Sequence, residues 1–192
     1  DIQKQDNESL RFTALNRVPT AQTRDQKMKL TVGGVYLQAI LQPTDWIKIT
    51  PAYRMDWVGG TYRNRLNNTS ARANDYGTIK QPKLSVALTP VEGLTIYGNW
   101  GKTFQIGTES GAYLIAPRLI DLDPSINEGW EAGVKLKRGS LEGRLAAWKQ
   151  TATGEIKRKL NDPLGDFDNL GGTRRKGVDV QLSAKPVDGL SV

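Results

Sequence analysis

The 192-residue chain contains no cysteine and no histidine. Without cysteine it forms no disulfide, and without either residue it lacks the ligands that most structural zinc sites use. The Ser-His-Asp and Cys-His catalytic groups are excluded for the same reason. Catalysis would have to use Asp, Glu, Ser or Lys, and we predict no enzymatic activity, no cofactor and no metal site.

Long apolar runs are also missing. The longest, such as Val86 to Leu88 and Leu145 to Trp148, are far shorter than the roughly 20 residues of a transmembrane helix, so no helix is expected to cross a bilayer. The chain begins at Asp1 without an initiator Met, and we expect that an export signal lay upstream or has been removed. The 27 Lys and Arg exceed the 20 Asp and Glu, but the basic clusters at 157–159 and 174–176 are interpreted as solvated charges, and no nucleic-acid partner is predicted.

A short pattern of apolar, polar, Pro, x, acid, x, apolar, polar, apolar occurs three times, beginning at residues 41, 88 and 184. Its prolines, Pro43, Pro90 and Pro186, lie 47 and then 96 residues apart. Because 96 is twice 48, a fourth copy is expected near residue 138, where Gly139 marks a turn without proline. Proline presets φ and glycine permits positive φ, so each copy predicts a tight turn.

Apolar and polar residues alternate on both sides of these turns, which is the period of a strand with two different faces. After Trp46 the apolar residues from Ile47 to Trp57 occupy odd positions, whereas Lys48 and Asp56 lie on the opposite face. The same alternation predicts about nine strands, the others at about residues 8–17, 28–41, 82–88, 94–104, 130–136, 141–153 and 178–182, with the last beginning near residue 190.

The connections between the strands alternate in length. Polar, Gly- and Asn-rich stretches of about 20 residues, 59–78, 105–127 and 154–170, separate the tight turns. Transmembrane barrels have short turns on one side, long extracellular loops on the other, and strands of about 10 residues that alternate apolar-out and polar-in. The sequence therefore predicts an all-β fold, an antiparallel up-and-down meander that forms part of a large transmembrane β-barrel.

The aromatic residues fit this prediction, because Trp and Tyr mark the two interfaces of a barrel. Trp57, Trp100 and Trp130 have the parity to face outward near the long loops, with Trp100 and Trp130 beside one another. On the opposite face we expect charged residues that point into the lumen and pair there, namely Lys48, Arg54, Asp56, Lys135 and Arg144.

Four segments resemble the TonB-dependent outer-membrane receptors, and among them the ferric-siderophore receptors. They are a Tyr-x-Gln strand with a partner ending in Arg-x-Asp, a hairpin ending in a Tyr-Gly-x-x-Phe type run, a strand of the Pro-Glu-x-Glu-x-Gly-x-Lys type and a strand of the Asn-x-Gly-x-x-Arg-x-x-Gly-Val-Glu type, at residues 35–56, 82–104, 123–135 and 169–180. The resemblance covers about residues 28 to 192 in order.

The resemblance implies a receptor that takes up a ferric siderophore or similar chelate across the bacterial outer membrane. It implies TonB as the energy source, acting through a plug domain, and outer-membrane lipid as the surroundings. Neither a plug domain nor a terminal strand ending in an aromatic residue is visible, so we interpret residues 1–192 as a partial barrel.

Ferric siderophores are commonly anionic and ring-bearing, so Arg, Lys and aromatic residues in the long loops are the candidate ligands. They are Tyr62, Arg63, Arg65 and Tyr76 in the first loop, Tyr113 and Arg118 in the second, and Lys157, Arg158 and Phe167 in the third.

Three alternatives remain open at this point. One is an outer-membrane barrel that transports no chelate, such as a porin or an adhesin. The second is a soluble β-rich ligand-binding domain, and the third is an outer-membrane hydrolase.

Overall fold

The computed structural model describes residues 1–161 and 166–184. Within them, no helix is both long enough and apolar enough to cross a membrane. A short 3-10 helix occupies Glu109–Ala112, and the strands are β1 (Ile2–Leu15), β2 (Val18–Gln38), β3 (Leu41–Thr44), β4 (Ile47–Asn64), β5 (Thr69–Arg72), β6 (Ile79–Val91), β7 (Leu94–Gln105), β8 (Ser125–Arg138), β9 (Leu141–Thr153), β10 (Glu155–Arg158), β11 (Phe167–Leu170) and β12 (Thr173–Ala184).

One large sheet contains all of these strands except β10 and β11. Its order is β1-β2-β4-β6-β7-β8-β9-β12, with β3 and β5 attached to β4, and each neighbouring pair is antiparallel. Sheet order thus follows chain order, which confirms the predicted antiparallel meander. In the described residues eight strands form this path, and the predicted turn at Pro186 and the strand after it lie outside those residues.

Tight turns join the strands at one end of the sheet, at 45–46, 92–93 and 139–140. Gly93 and Gly139 have φ of +81° and +59°, a conformation that a side chain disfavours, and a Cβ on Gly93 would overlap the Lys137 carbonyl. Pro43 and Pro90 lie two residues before their turns, at the ends of β3 and β6. The long connections emerge at the other end, so the predicted separation of turns and loops is confirmed for the described turns.

The first hairpin is longer than the sequence predicts. Strands β1 and β2 extend to a two-residue turn at Asn16 and Arg17, both with positive φ, instead of leaving residues 18–27 as a connection. Paired positive φ values match the right-handed twist of a hairpin, which is why two residues suffice. This hairpin turn lies at the same end of the sheet as the long loops.

The long loops also contain strands. Strand β4 continues to Asn64 and pairs with β5, and β10 pairs with β11 as a separate hairpin. Polar composition hides these strands, because neither face of a hairpin that projects into water has to be apolar. The loops are therefore partly ordered by backbone hydrogen bonds.

The outward face of the sheet carries apolar residues in register. One row across five strands consists of Leu88, Ile96, Val134, Leu145 and Val180. Most members of this row are exposed, Val180 to 77%. This face is the predicted lipid-facing surface.

Three tryptophans lie on the same outward face, nearer to the loops. Trp100 and Trp130 are direct register partners, and Trp57, Trp100 and Trp130 are 43%, 38% and 46% exposed. The predicted outward orientation of these residues and the juxtaposition of Trp100 with Trp130 are confirmed.

The inward face is polar, and Arg54, Asp56 and Arg144 form ion pairs there, as predicted, whereas Lys48 and Lys135 form none among the described residues. Asp56 is 1% exposed and accepts hydrogen bonds from Arg54 Nε at 2.8 Å and Gln81 Nε2 at 2.5 Å. Farther along the sheet, Glu131 accepts hydrogen bonds from Tyr97 Oη at 2.6 Å and Arg144 Nη2 at 2.5 Å. Glu131 thus has two side-chain partners on the neighbouring strands.

Candidate functional site

A cavity of about 1040 Å³ lies at the loop end of the sheet, on its inward face. Strands β1 and β2 and the tip of β4 form one wall, and residues 104–118, from the end of β7 into the second long loop, cover it. This loop folds back over the sheet instead of extending into solvent, because part of it is apolar and packs on β2 and β4.

The cavity floor is an apolar cluster. Met28 and Leu30 of β2, Tyr62 of β4, and Ala112 and Tyr113 of the second loop are each less than 9% exposed and pack together with Ala73. The rings of Tyr62 and Tyr113 lie 5.9 Å apart at an angle of 42°. Burial of these side chains fixes the second loop against the strands.

Asn74 connects the first and second loops. Its side chain is almost completely buried, and it donates hydrogen bonds to the Gly111 carbonyl at 2.9 Å and to Tyr76 Oη at 3.1 Å. It also accepts one from the Leu122 amide at 3.3 Å. The backbone continues the contact, because the Asn74 amide donates to the Ala112 carbonyl at 2.9 Å.

An ion pair adds a second connection between these loops. The Arg72 guanidinium donates two hydrogen bonds of 2.8 Å to the Asp121 carboxylate, which also accepts one from the Asp75 amide at 3.0 Å. The Arg72 hydrogen bonds lower the pKa of Asp121 below its ordinary value of 3.8, against the opposing effect of burial. Asp121 is therefore ionised at neutral pH and the pair is intact.

The third loop joins the same assembly through Asn169. Its side chain accepts a hydrogen bond from the Asp123 amide at 2.9 Å and donates to the carbonyls of Asp123 and Gly154 at 2.9 and 2.8 Å. All three long connections are thus held to one another by hydrogen bonds and an ion pair. The cavity beneath them has a preformed roof.

Arg118 lines the cavity with a side chain that is only 8% exposed. Its Nη2 donates to the Tyr113 carbonyl at 2.5 Å, and its Nε lies 3.5 Å from Asp166 Oδ1. Nε and Nη1 are buried without a hydrogen-bond acceptor. Since an unsatisfied buried donor of a charged group is costly, the geometry favours an additional acceptor at this position.

Two further arginines reach the cavity from the first hairpin. Arg11 and Arg24 are direct register partners on β1 and β2, and both line the cavity. Like charges directly opposite one another destabilise a strand pair, and in the described part of the chain no carboxylate forms an ion pair with either residue. Arg158, 6.0 Å from the Phe167 ring, lines the cavity too. The cavity is thus lined by four arginines and by the carboxylates Glu8, Glu109 and Asp166, with an apolar floor.

The structure brings together some of the predicted ligand residues and separates others. Tyr62, Tyr113 and Arg118 line the cavity, and Tyr62 does so from strand β4 and not from a loop. Tyr76 is buried behind Asn74, where burial raises the pKa of its phenol, as it does for Tyr113.

Arg63 and Arg65 lie away from the cavity. Arg63 is the last residue but one of β4, is exposed and bonds to Asn68 Oδ1 at 3.2 Å. Arg65 Nη2 contacts Glu8 at 2.8 Å and its Nη1 contacts Asp25 at 3.4 Å. In the third loop, Arg158 and Phe167 line the cavity, whereas Lys157 pairs with Glu155 at 3.1 Å.

Sequence reasoning missed Arg11, Arg24 and Asn74. Polar residues at odd positions from Gln3 to Arg11 were a signal for the inward face of β1, but the weak alternation of that segment obscured it. No such signal exists for Asn74, whose partners are 37 and 48 residues away in the chain.

Over residues 1–161 and 166–184, no three carboxylates come together in a way that could hold a metal ion.

Comparison with known proteins gives one family. A family model described as TonB dependent receptor-like, beta-barrel, matches residues 3–191. No curated protein matches the sequence.

Solved structures share the fold at low sequence identity. The ferric citrate transporter FecA superposes with a TM-score of 0.82 at 19% identity, over 95% of this chain and 28% of that one. The siderophore receptor PiuA from Acinetobacter baumannii gives 0.68 at 17%, over 87% and 24%, and the iron transporter FrpB from Neisseria meningitidis gives 0.66 at 15%, over 87% and 25%. The chain therefore spans about a quarter of the length of these structures.

Proposed function

The chain belongs to the TonB-dependent receptor β-barrel family, and from that premise we propose that it forms part of the wall of a receptor that binds a ferric siderophore or a similar anionic iron chelate. In this proposal the chelate enters from outside the cell and first meets the cavity beneath the three loops. TonB supplies the energy for its passage inward, acting through a plug domain.

Membership of the family establishes the general class of this protein. The chain is a segment of an outer-membrane β-barrel of the bacterial receptor and transporter class, which is not a class of enzymes. The soluble domain and the hydrolase considered above are thereby excluded.

The observation that carries the proposal is the set of arginines on the cavity wall. Arg11 and Arg24 stand opposite one another without a carboxylate partner among the described residues. Arg118 lies 3.5 Å from Asp166, but its buried Nε and Nη1 have no hydrogen-bond acceptor. An anion between them would offset the repulsion and satisfy the donors. Charge-assisted hydrogen bonds are roughly twice as strong as neutral ones, so these residues would supply affinity as well as orientation.

The aromatic floor has a different role in this proposal. Tyr62 and Tyr113 are packed against each other and hold the second loop in place, so Arg118, which bonds to the Tyr113 carbonyl, is positioned before the chelate arrives. Preorganisation of this kind reduces the entropy cost of binding. Arg63 and Arg65, which we expected among the ligands, have no part in this cavity.

The proposal can be tested with the complete receptor in detergent. We expect the double variant Arg11→Gln/Arg24→Gln and the single variant Arg118→Gln each to weaken binding of the cognate anionic chelate by about 10- to 100-fold, since a hydrogen bond to a charged group contributes about 1.5–3 kcal/mol. The probes are ferric citrate, a ferric tris-catecholate and a neutral ferric tris-hydroxamate, measured by tryptophan fluorescence quenching.

A matched control variant removes the same number of positive charges from the outward face instead of from the cavity. Lys29→Gln/Arg63→Gln removes two exposed cations of β2 and β4 and should leave affinity unchanged. Unchanged affinity in assembled cavity variants would refute the assignment of this cavity.

Uptake of radiolabelled iron in strains with and without TonB tests the transport step. Binding without TonB-dependent uptake would favour a barrel that does not transport.

A further inference from the structure

Two rows of the outward face differ from the apolar rows below them. The first runs across β6, β7, β8, β9 and β12 and consists of Leu84, Trp100, Trp130, Lys149 and Lys176. The second lies two residues nearer to the loops and consists of Lys102, Glu128, Thr151 and Arg174. Cations thus follow directly beside the tryptophans on the same face.

These two rows lie at the height of the membrane–water interface on the loop side of the barrel. Lys149 is eight residues beyond the start of β9, and Arg174 is ten residues from the end of β12. A strand that rises ~3.3 Å per residue and tilts by about 40° places them roughly 20 and 25 Å above the tight turns. The apolar band of such barrels is about 25 Å tall, so both side chains reach the headgroup layer on the loop side.

The charges of these rows are not balanced within the sheet. Glu128, the one carboxylate of the two rows, contacts Lys102 at 3.3 Å. Among the described residues, Lys149, Arg174 and Lys176 form no ion pair and no side-chain hydrogen bond. Lys149 and Lys176 are direct register partners, an arrangement of like charges that is unfavourable unless an anion lies between them.

Some cations elsewhere on the outward face have carboxylate partners. On β2 and in the first loop, Lys27 contacts Asp6 at 3.6 Å and Glu8 at 3.4 Å, and Arg65 contacts Glu8 at 2.8 Å. Carboxylates of β1 thus lie beside Lys27 of β2 and Arg65 of the first loop. Within residues 1–161 and 166–184, the cations of β9 and β12 on this face have no carboxylate within ion-pair distance, and Glu128 acts on Lys149 only from farther away.

We propose that Lys149, Arg174 and Lys176 form a binding site for the phosphate groups of an anionic lipid in the outer leaflet. Three cations within two neighbouring rows match the charge of a phosphorylated headgroup, and the apolar rows below them match its acyl chains. Trp130, beside Lys149, is suited to the boundary between the headgroup and the acyl chains, because its indole has an apolar body and a polar N–H. This site is separate from the chelate cavity, because it lies on the opposite face of the sheet.

The test uses the complete receptor and lipid A as the probe, with its phosphates and after their removal. Binding is measured as a dissociation constant by native mass spectrometry in detergent. We expect each cation removed to weaken binding of phosphorylated lipid A about fivefold, which corresponds to about 1 kcal/mol per charge. The variant is Lys149→Gln/Arg174→Gln/Lys176→Gln, and wild-type receptor should bind dephosphorylated lipid A correspondingly more weakly.

The control Lys48→Gln/Lys83→Gln/Lys135→Gln removes three charges from the inward face and should bind lipid A like the wild type. Equal binding of the two lipids by the wild type, or an equal loss in the control, would refute the site. Barrel assembly is checked by heat-modifiable electrophoretic mobility. Where the triple variant does not assemble, Lys149→Gln and Lys176→Gln are measured singly, and an unchanged dissociation constant in both would overturn the proposal.

Discussion

Replacing Asn74 by Ala should loosen the roof of the cavity without unfolding the barrel. The Asn74 side chain forms three hydrogen bonds between 2.9 and 3.3 Å, two of them to the second loop, at Gly111 and Leu122. Each contributes about 1 kcal/mol, and the loss of Asn74 also leaves the buried Gly111 carbonyl and Leu122 amide without partners. We therefore expect the free energy of local opening to fall by about 3 kcal/mol, equivalent to roughly a 100-fold increase in the opened population.

Hydrogen–deuterium exchange measured by mass spectrometry on peptides from residues 107–124 can detect this change. Exchange in these peptides should become about 100-fold faster, while peptides from β7 and β8 keep their protection. Asn67→Ala is the matched control, because Asn67 lies on the same loop but bonds only to Thr69, two residues away. Unchanged protection in Asn74→Ala, or equal loosening in Asn67→Ala, would refute the role of Asn74 as the connection between the loops.

Two further predictions concern the faces of the barrel and the pH dependence of the loops. Leu145→Arg, in the middle of an outward apolar row, should destabilise the receptor in lipid by about 2–4 kcal/mol. Ser85→Arg should be tolerated, because Ser85 lies on the inward face with Thr50 and Asn99 as register partners. Equal losses of stability in urea titrations of the two variants would show that the faces are assigned wrongly. The Arg72–Asp121 pair should stabilise the loops at all pH values above about 4 and lose this effect as the pH falls through the lowered pKa of Asp121. Exchange protection of residues 107–124 should therefore drop in acid for the wild type and not for Asp121→Asn. A parallel drop in both proteins would assign the acid sensitivity to another group.

The sequence was most informative where a residue's surroundings follow from its neighbours in the chain. Alternation from Ile47 to Trp57 and from Trp130 to Leu136 assigned faces correctly, because one face had to meet lipid and the other the lumen. Gly93 and Gly139 marked turns because few other residues adopt their φ. In each case the signal is local and is imposed by one strong physical constraint.

The sequence was less informative beyond the membrane, where that constraint ends. Residues 18–27 are mostly polar on both faces, so their pairing in β2 left no clear periodicity, and the turn at Asn16 and Arg17 contains neither Gly nor Pro. The cavity depends on contacts between distant segments, such as Asn74 with Gly111 and Leu122. Composition predicted arginine and tyrosine at this end of the barrel but could not separate Arg118, which lines the cavity, from Arg63, which faces outward.

The tight turns at 45–46, 92–93 and 139–140 recur every 47 residues, and each interval contains two strands of the main path. A duplication or loss of one interval would change the circumference of the barrel by two strands and leave every remaining residue on its original side. Because single-chain bacterial barrels close with even numbers of strands, such an event preserves closure. The hairpin interval is therefore a unit by which a gene for this kind of wall can widen or narrow its pore without a new design for either face.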